Sequence, residues 1–276
     1  MTQIATVLIP AWNEAAVIAR TLSALRDPRL RLVVIANACT DDTAGIARRT
    51  APEAFVLETA RPGKINALNI GNVCALPNRP VVFLDADLDT TPAQIMMLIA
   101  ALENAHAACG QMRIDTTGCS WPVRAYMRAW ASNPYFARGK FGGLFAVSAQ
   151  TARRLFPLPQ VTADDEFIRR SLDPATIAHV PECSFTARAP RDLLTLIRVR
   201  RRALRGARAL THVTVPQQSG AKAMLRHALP RPHLWADMAV FTAVMALVRL
   251  QLALERGAAA TAWERDTTNR LAGQKP

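Results

Sequence analysis

The 276-residue sequence predicts an α/β fold, a Rossmann-type, mostly parallel sheet flanked by helices, with a basic and apolar helical extension at the C-terminal end. In the first hundred residues, short apolar runs alternate with segments that have helical spacing of their apolar residues. The runs are apolar almost throughout, which is typical of parallel strands covered on both faces. Polar clusters follow three of the runs. Because ligands bind beyond the carboxyl ends of the strands in such sheets, the pattern also predicts which edge carries the site.

Four strands and four helices are predicted in this first part. The strands are ATVLIP (5–10), RLVVIAN (31–37), AFVLETA (54–60) and VVFLDAD (81–87). The helices are Glu14–Leu25, one capped by Thr40 or Asp41, one from about Lys64 to Leu76, and one that Pro92 begins.

After residue 115 the alternation loosens. The predicted elements are a Trp- and Arg-containing stretch (120–132), a loop entering a helix at VTADDEFIRRSL (161–172), a strand near 177–187, a basic helix from about 190 to 210, a linker at 214–220 and an apolar segment from Leu234 to Leu254. The paired glycines of GKFGGLFAVS (139–148) predict a close approach of the backbone to another group.

Composition and charge indicate which classes of ligand and which compartment suit the protein. The chain has 34 Lys and Arg against 21 Asp and Glu, a formal net charge of +13, which favours anionic partners, namely phosphates, nucleic acid or acidic lipid; of these we expect no nucleic acid. Five cysteines without a CxxC pair indicate a reducing compartment rather than disulfides or zinc. The first residues have no basic region followed by a cleavage site, so we expect no secretory signal.

The end of the fourth strand carries three carboxylates at alternate positions, Asp85, Asp87 and Asp89. Carboxylates this close repel unless a positive charge lies among them. One interpretation is a solvated turn, with Thr91 capping the helix that Pro92 begins. The other is a site for Mg²⁺ or Mn²⁺, hard cations that prefer oxygen ligands.

The remaining patterns exclude some chemistry. No GxGxxG follows the first strand, and RPGK (61–64) has too little of the P-loop pattern to hold phosphates alone. A metal on a diphosphate would stabilise the charge that develops as the diphosphate leaves. The acids of ADDE (163–166) are candidates for the base that activates an incoming nucleophile. Alternatively, they only favour the N-terminal end of the following helix.

Six motifs, taken together and in order, resemble inverting family-2 glycosyltransferases, whose fold is of the GT-A type. They are IPAWNE, NACTDDTAGIAR, PGKINALN, FLDADLDTTP, GGLFAVS and ADDEFIRR. The resemblance extends from about Thr6 to about Gly206.

The resemblance implies roles for individual residues. Those implied to bind the nucleotide-sugar donor are Pro10, Ala11, Glu14, Asn37, Asp41 or Asp42, Lys64, Asn66, Asp85 and Gly143. It also implies that Asp87 is the metal ligand and that Asp85 lies near the ribose or the metal. The paired acids correspond to Asp164 and Asp165, of which the second is the usual base for the acceptor hydroxyl. A single displacement by that hydroxyl would invert the anomeric carbon.

Two departures from the family pattern limit what it implies. Where the family often has an acidic residue and a Gly-Ser pair in the second loop, this chain has ANAC (36–39), so the nucleotide, as a UDP-, GDP- or dTDP-sugar, stays open. The QxxRW motif of processive members is missing from RVRRRALRG (198–206), which favours single addition.

Two C-terminal segments predict contact with a membrane. Five arginines fall within one arc of the basic helix, namely Arg198, Arg201, Arg202, Arg205 and Arg208. Such a stripe is a solvated face, or it contacts acidic lipid or the donor diphosphate, for which Arg201 or Arg202 is the candidate. The segment from Leu234 to Leu254 is predicted to lie on a membrane, ahead of packing in the core or spanning the bilayer.

The sequence thus predicts a glycosyltransferase domain over 1–213, divided into a donor half (1–114) and an acceptor half (115–213), and a helical extension over 214–276. We expect transfer of one sugar to a lipid-linked or cell-envelope glycan at the cytoplasmic face of the membrane. A sugar-phosphate nucleotidyltransferase is one alternative, although IPAWNE lacks the expected glycine-rich loop. A non-catalytic protein that binds anions or membranes is the other.

Overall fold

The computed structural model describes residues 2–133, 140–210, 224 and 226–254, which form two compact units. The first unit takes its described residues from 2–113 and 140–187. The second takes them from 114–133 and from 188 onward. The chain leaves the first unit after residue 113 and later returns to it for residues 140–187. The two units therefore differ from the predicted segments 1–114, 115–213 and 214–276, which follow one another along the sequence. The predicted domain roles stay predictions.

The main elements among the described residues are seven strands and nine α-helices; two 3₁₀ helices, Pro174–Thr176 and Pro232–Leu234, are described as well. The strands are β1 (Ala5–Ala11), β2 (Leu30–Asn37), β3 (Phe55–Thr59), β4 (Val81–Leu84), β5 (Ala107–Asp115), β6 (Leu144–Val147) and β7 (Ile177–Arg188). The helices are α1 (Ile18–Ala24), α2 (Thr43–Thr50), α3 (Lys64–Asn72), α4 (Pro92–Ala101), α5 (Trp121–Ala131), α6 (Ala149–Leu155), α7 (Asp164–Arg170), α8 (Leu193–Ala209) and α9 (Trp235–Leu254).

The strands form one sheet in the order β3-β2-β1-β4-β6-β5-β7. β1 pairs in parallel with β2 and β4, and β2 pairs in parallel with β3. β6 is antiparallel to both β4 and β5. The prediction of a mostly parallel α/β sheet is therefore confirmed. β5 was not predicted; polar residues interrupt its second half, Gln111–Asp115, which is only partly buried or exposed.

Alternate residues of the central strand enter two halves of the core, one on each side of the sheet. Val7 of β1 packs in the cluster that contains Ile18 of α1. Its neighbour Leu8 packs in a second cluster with Leu68 of α3. Successive side chains of a strand point to opposite faces, so a run that is apolar throughout requires cover on both.

The first residue of α1 differs from the prediction, whereas that of α4 agrees with it. α1 begins at Ile18 rather than Glu14, and residues 15–17 before it form a turn; the backbone N–H of Glu14 donates to Thr43 Oγ1 at 2.8 Å. α4 begins at Pro92, as predicted, and Thr91 forms a capping box with Gln94.

The second unit consists of α5, α8 and α9 around a small apolar cluster. Tyr126 of α5 packs there with Leu196 of α8 and Val248 of α9. The guanidinium of Arg128 forms a two-bonded ion pair with the buried Asp237, at 2.7 and 2.6 Å. This contact fixes α9 against α5.

Within the described residues, the stretch Pro232–Leu254 is the one helix whose length and apolar composition suffice to cross a bilayer. A buried helix in the core of a soluble protein can meet the same criteria. In this helix, only 22% of the most apolar part is buried.

We predict that Arg128→Met lowers the free energy of unfolding by about 1 to 3 kcal/mol, because it leaves the buried carboxylate of Asp237 without its ion-pair partner. Urea unfolding followed by tryptophan fluorescence measures this loss. The control is Arg48→Met, which breaks an exposed pair with Glu58 and should cost less than about 1 kcal/mol. Equal losses in the two variants would contradict the prediction.

Candidate active site

Two loops at the carboxyl ends of β1 and β2 are joined to each other by side chains. We call residues 12–17 loop 1 and residues 38–42 loop 2. Asn13 Oδ1 accepts the backbone N–H of Thr40 at 2.7 Å, and Asn13 Nδ2 donates to Thr40 Oγ1 at 3.1 Å. Asn13 and Ala38 adopt positive φ, 54° and 49°, which turns the chain sharply after each strand. The two loops therefore hold one fixed shape.

The two aspartates of loop 2 have different surroundings. Asp41 accepts backbone N–H groups from Ala15 of loop 1 and from Thr43, both at 3.1 Å. Asp42 forms an exposed ion pair with Arg49 at 2.6 Å. Asp41 thus fastens loop 1 to loop 2, whereas Asp42 faces solvent. Their roles in donor binding stay predictions.

Asn37 is the last residue of β2 and lies 4% exposed at the same edge. Its Oδ1 atom is buried and accepts no hydrogen bond from any described residue. A buried acceptor without a partner costs free energy, so a ligand that donates an N–H there would relieve the cost. Glu14 is also buried in loop 1. Pro10 and Ala11 lie at the end of β1, opposite Ile35 and Ala36 of β2.

The centre of the site is an ammonium group between carboxylates. Lys64 Nζ lies 2.7 Å from Asp85 Oδ1 and 2.9 Å from Asp164 Oδ2. Lys64 begins α3, Asp164 begins α7, and Asp85 directly follows β4. Asn66 Nδ2 donates to Arg61 O at 2.8 Å and so closes the loop that leads into α3. Three distant parts of the chain therefore meet at one ammonium.

The electrostatics of this cluster are dominated by burial and by an excess of negative charge. Burial disfavours the charged form of Lys64, but the carboxylates of Asp164, Asp85 and Asp165 outweigh it, so the pKa of the ammonium is raised. Burial also raises the pKa of the Asp164 carboxyl; Lys64 opposes this shift, and the charges of Asp165 and Asp85 add to it. One ammonium thus compensates three carboxylates incompletely.

Gly143 lies against Asp85, which answers the close approach predicted from the paired glycines. The backbone N–H of Asp85 donates to Gly143 O at 2.8 Å. A Cβ at Gly143 would lie 2.5 Å from Asp85 Oδ2, and the φ of Gly143 is +91°. Only glycine combines that backbone conformation with that proximity.

The three acids after β4 have three different surroundings. Asp85 is paired with Lys64, and Asp89 is paired with Arg20, whose Nε lies 2.9 Å from Asp89 Oδ1. The backbone of Asp89 also bonds that of Thr186 in both directions at 3.0 Å. Asp87, between them, is exposed. The predicted turn and cap at Thr91 are present, and they leave Asp87 facing solvent.

The described residues fit a divalent cation that a ligand completes. Among them, no group of three or more His, Cys, Asp and Glu side chains is placed to hold a metal. Asp87 and Asp85 offer carboxylate oxygens, and Mg²⁺ characteristically binds one or two carboxylates together with substrate phosphates. These two residues would therefore hold a cation jointly with a phosphorylated ligand.

α7 presents the paired acids in a fixed orientation. Glu166 accepts from Arg169 at 2.7 and 2.8 Å and from Arg170 at 2.6 Å, and these bonds brace the helix. Asp164 is buried against Lys64, whereas Asp165 is partly exposed. The two acids are therefore not equivalent.

Comparison with known proteins identifies the family. The family model described as Glycosyl transferase family 2 matches residues 6–152, more than half of the chain. This chain belongs to glycosyl transferase family 2. An uncharacterized glycosyltransferase from Mycobacterium tuberculosis is 31% identical over 117 residues, which are 42% of this chain and 52% of that protein. The chain spans about half the length of the curated relatives it matches.

Solved structures confirm the GT-A-type fold. A mannosyltransferase from Pyrobaculum calidifontis, in complex with GDP-Man and Mn²⁺, has a TM-score of 0.58 at 22% identity, over 97% of this chain and 85% of that one. Glucosyl-3-phosphoglycerate synthase from M. tuberculosis, in complex with Mn²⁺, UDP and glucosyl-3-phosphoglycerate, has a TM-score of 0.53 at 22% identity, over 77% and 81% of the two chains.

Two predicted donor residues of this family-2 protein lie in its second unit. Arg201 and Arg202 are partly buried on α8, and Arg201 Nη1 lies 3.5 Å from Gln251 Oε1 of α9. Their predicted contact with the diphosphate stays a prediction. Conversely, sequence reasoning missed Arg20 as the partner of Asp89. A basic residue on the first helix is no signal by itself, because its partner lies far along the chain.

We predict that Gly143→Ala lowers the free energy of unfolding of this family-2 protein by at least about 2 kcal/mol, through positive-φ strain and displacement of Asp85. The matched control is Gly118→Ala, where φ is +73° but nothing lies within 4 Å of the added Cβ. It should cost about 1 kcal/mol. Urea titrations of both variants compare the two, and a smaller loss at Gly143 would refute the close-approach argument.

Proposed function

We propose that this family-2 protein is an inverting, metal-dependent glycosyltransferase that moves one sugar from a nucleotide-sugar to an acceptor hydroxyl. One observation supports this most. The carboxylates of Asp85 and Asp164 converge on Lys64 at the carboxyl edge of the sheet, with Asp165 close enough to raise the lysine pKa. A binding protein has no need of three acids compensated by one ammonium. The family match also favours a glycosyltransferase over a nucleotidyltransferase.

The donor would bind beyond β1 and β2. The buried Oδ1 of Asn37 fits an N–H donor of a nucleobase, and loops 1 and 2 enclose the same edge. Related structures contain GDP-Man or UDP together with Mn²⁺. We therefore expect a UDP-, GDP- or dTDP-sugar. When bound by Asp87 and Asp85, Mg²⁺ or Mn²⁺ would stabilise the charge on the departing diphosphate.

Asp165 is the proposed base. Because Asp164 is buried and bonded to Lys64, it is poorly placed to take a proton, whereas Asp165 is partly exposed. Asp165 would accept the proton of the acceptor hydroxyl as its oxygen forms a bond to the anomeric carbon. The bond from that carbon to the diphosphate oxygen breaks in the same displacement, and the configuration inverts. Asp164 would keep Lys64 in position beside it.

We predict that Asp165→Asn lowers kcat by about 10²- to 10⁴-fold, the usual contribution of a general base. Release of the nucleoside diphosphate from UDP-glucose, GDP-mannose and dTDP-glucose, with Mn²⁺ and a panel of acceptor glycans and lipid-linked sugars, measures activity. NMR of the product determines the anomeric configuration. Glu182→Gln, an exposed acid on β7, is the control and should keep native activity.

Two results would contradict the proposal. One is native kcat in folded Asp165→Asn. The other is nucleotide binding without turnover of any donor, which would favour the non-catalytic alternative. A product that retains the donor configuration would overturn the single displacement alone.

The acceptor is proposed to be lipid-linked or part of the cell envelope, reached from the cytoplasmic face of the membrane. One side of α9 packs in the second unit through Val244, Met245 and Val248. The other side is exposed, with Thr242 and Arg249 at its edge, and its apolar residues are Trp235, Ala239, Ala243, Ala246, Leu247, Leu250 and Leu254. We call this side the apolar face. Large exposed apolar patches mark interaction surfaces.

An anionic bilayer suits the charge around the apolar face. Arg226, Arg231 and Arg249 are exposed on or before α9, and the chain carries a net charge of +13. Apolar area together with basic residues favours a helix that lies in the interface of anionic lipid. This supports a helix lying on the membrane over one packed wholly in a core.

We predict that the full chain sediments with vesicles of phosphatidylglycerol and phosphatidylcholine but not with phosphatidylcholine alone. Leu250→Glu, at a position 56% exposed, should weaken binding at least tenfold, because it places a carboxylate in the apolar face. Val73→Glu, at a position 84% exposed in the first unit, is the control and should bind as the native chain does. Absence of native binding, or concentration-dependent dimers that Leu250→Glu abolishes, would overturn the membrane proposal.

A further inference from the structure

We propose that Lys64 is a built-in counter-ion that occupies the cation's place at Asp85 and keeps a divalent metal out until a nucleotide diphosphate is bound. The inference rests on the proposed function, because it takes Asp85 and Asp87 as ligands of the cation. It adds an order of binding, in which the free protein is closed to the metal and the metal enters with the diphosphate.

The ammonium of Lys64 lies beside Asp85, whose side chain is 36% exposed. Lys64 Nζ lies 2.7 Å from Oδ1, and Oδ2 lies so near the backbone of Gly143 that a Cβ there would be 2.5 Å away. A cation that approaches Asp85 must therefore displace or approach the ammonium. Asp87 is exposed, and Mg²⁺ characteristically binds one or two carboxylates together with substrate phosphates, so a phosphorylated ligand would supply the remaining oxygens.

The position of Lys64 in the helix indicates that its charge serves the acids rather than the fold of α3. It is the first residue of α3, after Gly63 with a φ of +123°. A positive charge at a helix N-terminus is unfavourable with the helix dipole. The local helix thus disfavours Lys64, and the compensation comes from the carboxylates of Asp85 and Asp164.

Charge also explains why the diphosphate would reverse the situation. Without a ligand, the ammonium partly compensates the acids and repels a second cation. A diphosphate adds negative charge, offers new partners to the ammonium and supplies oxygen ligands to the metal. The metal would then bind the protein–nucleotide complex more tightly than the free protein. The nucleotide would likewise bind the protein–metal complex more tightly, because the coupling between the two ligands is reciprocal.

Binding of Mn²⁺ in the absence of nucleotide tests this directly. The spectroscopic signal of free Mn²⁺ in electron paramagnetic resonance gives the dissociation constant for each protein. We expect Lys64→Met to bind Mn²⁺ at least tenfold more tightly than the native chain, because it leaves the carboxylates without their counter-ion. Lys64→Arg keeps the charge and should bind as weakly as the native chain. Lys64→Met/Asp85→Asn should lose the gain.

Several results would overturn the proposal. They are Mn²⁺ binding in Lys64→Met that is no tighter than native, Lys64→Arg that binds as tightly as Lys64→Met, and native protein that binds Mn²⁺ equally well with and without UDP or GDP. A purely structural lysine would not tighten metal binding when removed. If Lys64→Met does not fold, Lys64→Met/Asp164→Asn removes one charge of each sign, and it should also bind Mn²⁺ more tightly than native.

The same data separate this inference from the proposed function. Mn²⁺ binding with the expected pattern, in a protein that turns over no nucleotide-sugar, would refute the transferase and leave the counter-ion role intact. A native protein that transfers sugar yet binds Mn²⁺ tightly without nucleotide would refute the counter-ion role alone.

Discussion

The site depends on the ion pairs that Lys64 makes with Asp85 and Asp164. These two bonds, at 2.7 and 2.9 Å, connect the end of β4 with the beginnings of α3 and α7. Each of the three segments contributes one charged side chain. Removing a charge from water costs free energy unless it is paired, so the three side chains stabilise one another's positions. The same arrangement leaves an excess of negative charge, which a metal ion or a second cation would neutralise. Structure and proposed chemistry therefore share one electrostatic origin.

Loops 1 and 2 are held by a different means. Backbone N–H groups of these loops donate to side chains, those of Ala15, Thr40 and Glu14 to Asp41, Asn13 and Thr43 respectively. These bonds hold the polar residues after β1 and β2 on one surface. Asn37 is the exception in this network, since its buried Oδ1 has no donor among the described residues. A ligand that donates an N–H to this atom would complete its hydrogen bonding.

The second unit shows how one helix can serve both a core and a surface. α9 is apolar nearly all round, yet only the side with Val244 and Val248 packs against α5 and α8. The ion pair between Arg128 and the buried Asp237 fixes which side faces inward. That choice leaves the apolar face exposed, and it agrees with the proposed attachment to anionic lipid. The basic residues on and before α9 supply the matching charge.

The sequence by itself determined the parallel strands, because β1, β2 and β4 are apolar almost throughout and such runs are typical of a sheet covered on both faces. It also determined which edge carries the acids, since the carboxyl ends of parallel strands coincide, and it placed a close contact at the glycines near Gly143. Only the tertiary structure decided which charged residues form ion pairs with each other. Lys64 joins Asp85 rather than Asp87, and Asp89 belongs to Arg20, because these partners come from segments that local pattern does not relate. β5 was decided in the same way, because its second half, which polar residues interrupt, becomes a strand through pairing in the sheet. Local pattern specifies elements and edges, whereas ion pairs between distant residues depend on how the elements pack.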